Sequence, residues 1–171
     1  MKAFRSYLIL AVVVLAAPAV FAQTSAFDTA TANANIIPAI SITRTANLNF
    51  GDILQPGATG GTAVVTPGGV RNVSGVLGAG GTVNAAAFTV GGSGAKQFNI
   101  VVTPATLAIS NGTTTMNVDT WTTSCVSPCT FPGAVATAQT LPLTVGGTLN
   151  VNAAQALGAY TGTFTVTVNY Q

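Results

Sequence analysis

Hydrophobic and polar positions alternate with period two over short stretches of the chain, and glycine, proline and asparagine separate those stretches. The cleanest case is at the C-terminal end. Phe164, Val166, Val168 and Tyr170 alternate there with Thr163, Thr165, Thr167 and Asn169. This pattern predicts a strand with one buried and one solvated face. Similar runs rich in Val, Ile, Thr and Phe cover 39–45, 47–54, 62–66, 69–77, 83–90, 96–103, 114–121, 140–145, 148–151 and 160–170. Turn signals fall between them at Pro56-Gly57, Gly60-Gly61, Pro67-Gly68-Gly69, Gly78-Ala79-Gly80-Gly81, Gly91-Gly92-Ser93-Gly94, Asn111-Gly112 and Gly146-Gly147. Strands this short and numerous predict an all-β sandwich or barrel. One stretch, Ala153 to Leu157, reads as a helical turn.

The N-terminal third carries two further patterns. Lys2 and Arg5 precede an apolar run from Leu8 to Ala17, Pro18 breaks it, and Val20-Phe21-Ala22 offers small residues of the kind a signal peptidase reads. The apolar stretch falls short of the roughly 20 residues a membrane span needs, so residues 1–22 are expected to be a cleaved secretory signal. Ala19 is a second candidate for the cut. Beyond it, Ala30, Ala32, Ala34 and Ile36 alternate with Thr29, Thr31, Asn33 and Asn35. Pro38 interrupts, and Ile40 and Ile42 resume in the same phase. Proline removes a ladder hydrogen bond and belongs at a strand boundary. Residues 23–37 therefore read as an extension separate from a β-domain over 38–171, the alternative being a loose leader or an ordinary first strand.

Composition narrows the chemistry. Only 5 % of the 171 residues are charged, against about 25 % in ordinary globular proteins. The cations are Lys2, Arg5, Arg44, Arg71 and Lys96; the anions are Asp28, Asp52 and Asp119; there is no His and no Glu. A His-based nucleophile relay has no proton shuttle here. Paired carboxylates for glycoside cleavage and an oxygen-rich metal site are poorly supplied, and a basic face for nucleic acid is missing. The expectation is a non-enzymatic protein without catalytic, cofactor-binding or metal-ligating residues. Cleavage after Ala22 leaves three Lys/Arg against three Asp. A surface so free of charge offers little resistance to self-association.

Few residues remain as candidates for chemistry. Cys125 and Cys129 are the two cysteines, and an even count in an exported chain reads as a local disulfide. A two-ligand metal site or a redox pair is the alternative. The loop is tiny, so its closure entropy is small. Gly91-Gly92-Ser93-Gly94-Ala95-Lys96 lacks phosphate-loop spacing and reads as a hairpin turn. Trp121, Tyr160 and Phe131 form an aromatic platform only if the fold gathers them, and Asp52 and Asp119 hold a cation only on the same condition.

Two segments carry a family resemblance. The first is Ile37-Pro38-Ala39-Ile40-Ser41-Ile42-Thr43-Arg44, followed by Leu48-Asn49-Phe50-Gly51-Asp52-Ile53. The second runs from Leu143 to Val151 and on through Gly158-Ala159-Tyr160 to Tyr170. Together they resemble a secreted bacterial family known as domain of unknown function 4402, which is similar to the archaic, spore-coat-U-like chaperone–usher pilus subunits. Those pilins carry a penultimate aromatic and a glycine fourteenth from the end, positions held here by Tyr170 and Gly158. The resemblance implies an immunoglobulin-like β-sandwich of pilin type that lacks its final strand. Its last strand, with Gly158, Phe164, Val166, Val168 and Tyr170, would meet a periplasmic chaperone and then border the groove for a neighbour's strand. The donor segment would be the N-terminal extension, through Phe27, Ala30, Ala32, Ala34 and Ile36. The cysteines depart from the pilin pattern, in which two early strands are linked.

The resulting expectation is an exported structural subunit that polymerises by donor-strand exchange into a surface fibre used in adhesion or biofilm. Its partners would be copies of itself or related pilins, a periplasmic chaperone and an outer-membrane usher. It would pass through the periplasm to the cell surface or medium, with no nucleic acid and no membrane span after cleavage. The alternative is a monomeric secreted binding module for carbohydrate or matrix.

Overall fold

The computed structural model describes residues 25–171. The signal segment expected over 1–22 lies outside them. Two units are distinguished, residues 1–34 and 35–171. Of the first, residues 25–34 are exposed and carry no regular structure. The second is all-β, with no helix among the described residues.

Its strands are β1 (Ser41–Ala46), β2 (Asn49–Phe50), β3 (Gly61–Val65), β4 (Arg71–Ser74), β5 (Val83–Asn84), β6 (Ala86–Ser93), β7 (Gln97–Thr103), β8 (Leu107–Ser110), β9 (Thr115–Thr123), β10 (Cys129–Thr130), β11 (Ala138–Val151) and β12 (Thr165–Tyr170). Every pairing is antiparallel. The hub is β11. Its first half pairs β6 from Ala138↔Ser93 to Val145↔Ala86, and its second half pairs β3. Residues Thr148 to Asn150 pair β9 as well as β3, so those two strands lie on opposite edges of β11. The larger sheet thus runs β1-β6-β11-β3-β4, with β9 and β8 on the far edge of β11. The second sheet is β10-β7-β12, and β2 pairs β5 in a short ribbon. These curled sheets form a β-sandwich.

The strand between Ala138 and Val151 corrects one expectation. Gly146 and Gly147 are not a turn but the middle of a continuous 14-residue strand. Both glycines are there because neighbours come close. A Cβ on Gly146 would strike the Val65 carbonyl, and one on Gly147 would sit 3.0 Å from the Trp121 ring. Pro142 is tolerated because β9 pairs β11 only from Val145 onward, so Pro142 turns its missing donor to an open edge. The turn expected at Gly91–Gly94 likewise begins later, since β6 runs to Ser93. Ala153 and Ala154 form a turn and residues 155–157 carry no regular structure, so the expected helical turn is absent there.

Opposite Gly147, β9 has an extra residue, because the register passes from Gly146↔Thr122 to Thr148↔Asp119. Thr120 takes φ 49° at this bulge. The inward phase changes there, from Met116 and Val118 to Trp121 and Thr123. The predicted alternation of the last strand is observed: Val166 and Val168 are buried, while Thr165, Thr167 and Asn169 are exposed.

Buried side chains form two clusters. One contains Val90, Phe98, Cys129, Phe131, Leu143, Val145, Val166 and Val168, and both sheets cover it. The other contains Ala63, Val76, Leu107, Ile109, Met116, Val118, Leu149 and Val151, supplied by β3, β8, β9 and β11 with Val76. The second sheet does not extend over this cluster, and that incomplete cover creates the candidate site.

Candidate functional site: an open apolar groove

A groove of about 980 Å³ lies over the second cluster. Its floor is Leu107, Ile109, Met116, Val118, Leu149 and Val151, so six residues of the second cluster are also groove residues. One wall is 44–56 and the other is 155–164. The walls meet at one end, where Gln55 Nε2 donates to the Gln155 carbonyl at 3.0 Å and the Ala154 amide to the Gly57 carbonyl at 3.0 Å.

The main chain of each wall is half used. On the first, the Leu54 amide donates to Leu77 O at 2.9 Å and the Ala79 amide to Asp52 O at 2.8 Å. These two bonds flank the facing pair Ile53↔Gly78. Antiparallel geometry then turns the Ile53 N–H and C=O the other way, to the groove. On the second wall, Thr161 and Ser110 exchange both bonds at 2.9 Å. Tyr160 and Gly162 on either side of it therefore turn their amides and carbonyls away from Ser110. None of these main-chain groups has a main-chain partner among the described residues. Farther along, β12 pairs β7 on one edge and leaves its other edge open.

One end of the groove is polar. The Gln155 amide donates to Tyr160 Oη at 2.7 Å and receives Asn152 Nδ2 on its own oxygen at 2.9 Å. Tyr160 Oη donates to Ala156 O at 2.8 Å and lies 2.6 Å from Thr114 Oγ1. The last strand is tied elsewhere, to β6 and to the segment ahead of β1. Ser93 N–H donates to Tyr170 Oη at 2.6 Å, and that hydroxyl donates to Pro38 O at 2.8 Å.

The residues singled out on the last strand divide between two places. Gly158 and Phe164 line the groove. Gly158 has φ +140° beside Asn111, whose side-chain amide donates to Leu157 O, and Phe164 stacks on Trp121 with centroids 4.6 Å apart. Val166 and Val168 lie instead in the covered cluster, and Tyr170 makes the tie to Pro38. In the extension, Phe27, Ala30, Ala32, Ala34 and Ile36 are all exposed, Phe27 by 90 % and Ile36 by 92 %.

Other candidates are placed apart. Cys125 and Cys129 form a disulfide with Cα atoms 5.9 Å apart, which holds the loop between β9 and β10. Trp121 and Tyr160 both border the groove, but Phe131 is buried against Phe98 and Tyr170 in the other cluster, so the three present no common face. Asp52 lies on a groove wall, while Asp119 accepts a bond from Asn150 Nδ2 on the β-sheet. Sequence reasoning missed the floor residues Leu107 and Ile109, whose four-residue strand is too short to stand out, and the Gln155–Tyr160 pair.

No curated protein matches this chain. The profile of the family described as Domain of unknown function (DUF4402) matches residues 40–170, a span that contains both groove walls and the whole floor. The chain belongs to that family, Domain of unknown function (DUF4402).

Proposed function

We propose that this protein is an exported structural subunit that polymerises into a surface fibre, each copy placing its residues 24–37 in the groove of the next. One observation carries the reading. Two walls with unpaired main-chain groups flank an apolar floor that belongs to the core. A β-strand supplies what both need: amides and carbonyls on its two edges, and side chains that alternate into the floor. A small rigid ligand would leave most of those main-chain groups to water.

The donor is chosen on chemistry. Residues 29–36 alternate small apolar and polar side chains, and Ile36 ends the series. The alternating series 29–36 carries no charge; Asp28, the one charge of the segment, stands ahead of it, outside the part assigned to the apolar trough. On this reading the sandwich is of the immunoglobulin-like pilin type and is completed by the donated strand. A chaperone covers the groove in the periplasm, and an usher exchanges it for the neighbour. The role is adhesive and non-enzymatic.

The test is deletion of residues 24–35 from the exported chain. Wild-type subunits should give heat-resistant ladders in mild detergent gels, and the deleted protein should remain monomeric. Undiminished ladders from the deletion would show that another segment joins the subunits. A wild-type monomer without ladders would favour the monomeric binding module.

A further inference from the structure

We infer that Arg71 is the positioning residue of the groove, fixing the 50–52 wall so that an incoming strand meets a ready edge. The inference rests on the strand-binding reading above. Arg71 opens β4, an edge strand outside the groove, and its half-buried guanidinium reaches the back of the wall. Nη1 donates to the carbonyls of Phe50 at 2.7 Å, Asp52 at 2.9 Å and Gly80 at 3.3 Å. All three acceptors are main-chain carbonyls. In a chain with so few cations, this one is directed at the backbone of a groove wall and at the turn that supports it.

The surroundings are shaped for that group. A Cβ on Gly51 would stand 2.6 Å from Nη1, and a Cβ on Gly78 would collide with the guanidinium. Gly51 also has φ +69°, which a side chain would strain. The two glycines thus leave a slot of guanidinium thickness between the wall and its support.

The wall needs such a pin. Its own pairing is the two-residue β2–β5 ribbon and the single bridge Ile53↔Gly78, and a short isolated ribbon is marginal in water. Charge-assisted bonds to three carbonyls tie β2 and Asp52 to the turn at Gly80 that leads into β5. A wall held in place spares the incoming strand the ordering of its partner, which is preorganisation. Ile53, whose free main-chain groups face the groove, is the next residue but one after Gly51.

The experiment uses the full exported chain and a fluorescent synthetic peptide with the sequence of residues 24–37. Peptide capture is followed by anisotropy for wild type, Arg71→Ala and Gly78→Ala, the last keeping the arginine but filling its slot. Both variants should capture peptide about tenfold more slowly, the effect of losing one good charge-assisted bond. Millimolar guanidinium, and not sodium, should restore capture to Arg71→Ala. Amide exchange at Asp52, Leu54 and Ala79 should rise while β11 keeps its protection, which shows that the fold is intact. If wild type captures peptide and both variants match it, Arg71 has no positioning role and the groove reading stands. If wild type captures none, the groove reading fails and this inference falls with it. Variants that lose β11 protection would overturn it too, by making Arg71 a residue of the whole fold.

Discussion

Ile36 is where the fold and the proposed assembly make opposite demands, so replacing it separates them. The side chain is 92 % exposed in the single chain. Its removal in Ile36→Ala should leave unfolding of the domain within about 0.5 kcal/mol of wild type, as for other exposed positions. In a neighbour's groove the same side chain would be covered by the apolar floor. Truncation to alanine removes three carbons, and at about 0.8 kcal/mol per buried methylene that is roughly 2 kcal/mol. This corresponds to about a thirtyfold weaker junction per subunit. Ile36→Asp should do more, because it sets an unpaired charge in an apolar trough. Two measurements are needed on the same variants: urea unfolding of the monomer, and the temperature at which ladders dissociate in mild detergent. The reasoning requires unchanged unfolding with weakened ladders. Ladders of Ile36→Ala as heat-resistant as wild type would refute it. A destabilised monomer would show instead that Ile36 belongs to its own domain.

Tyr170→Phe removes the shared hydroxyl between Ser93 N–H and Pro38 O; Ser93 is fully buried, so the loss should be about 1–3 kcal/mol, read by urea unfolding, and a change below about 0.5 kcal/mol would mean that water takes the place of the hydroxyl. Opening the Cys125–Cys129 loop should cost about 2 kcal/mol by either single substitution, from loop closure alone. Cys129→Ser should cost about 1 kcal/mol more than Cys125→Ser, because Cys129 is buried beside Phe98 and Cys125 is only half-buried; equal losses would contradict that assignment.

Period-two patterning was legible wherever a strand buries one face throughout. The last strand is such a case, with Val166 and Val168 inside and its threonines outside. The disulfide was legible because its partners are close in sequence and had no rivals. Glycine was the main source of error, since it serves two physical purposes. Gly112 takes φ +93° in a turn, whereas Gly146 and Gly147 lie in an extended strand and make room for Val65 and Trp121. Nothing local in the sequence tells the two uses apart. The phase change at the Thr120 bulge hid the inward side of Trp121 in the same way. The groove was not legible as a place at all. Its walls are 44–56 and 155–164, distant in the chain, and what defines it is a stretch of sheet that no strand covers. The resemblance to pilins implied a missing strand along 158–170, but only the 158–164 part borders the opening.

The floor's double membership links stability to occupancy. Leu107, Ile109, Met116, Val118, Leu149 and Val151 hold β8, β9 and β11 together and also face the groove. These side chains are already at least nine-tenths buried in the single chain, so an occupant adds apolar burial chiefly through its own side chains, and it binds the native state and not the unfolded one. By mass action, the domain is then stabilised by as much as the occupant's concentration exceeds its dissociation constant allows. In a fibre the donor is tethered to a neighbour, so its local concentration is high and stays high on dilution. Unfolding one subunit must then also expel the neighbour's strand. On the proposed reading, the domain would therefore be at its weakest when alone and strongest in the interior of an assembly. Subunits joined in this way would give heat-resistant ladders without any covalent bond between them. A chaperone in transit would act through the same linkage, stabilising the native domain while it occupies the groove before the first neighbour arrives.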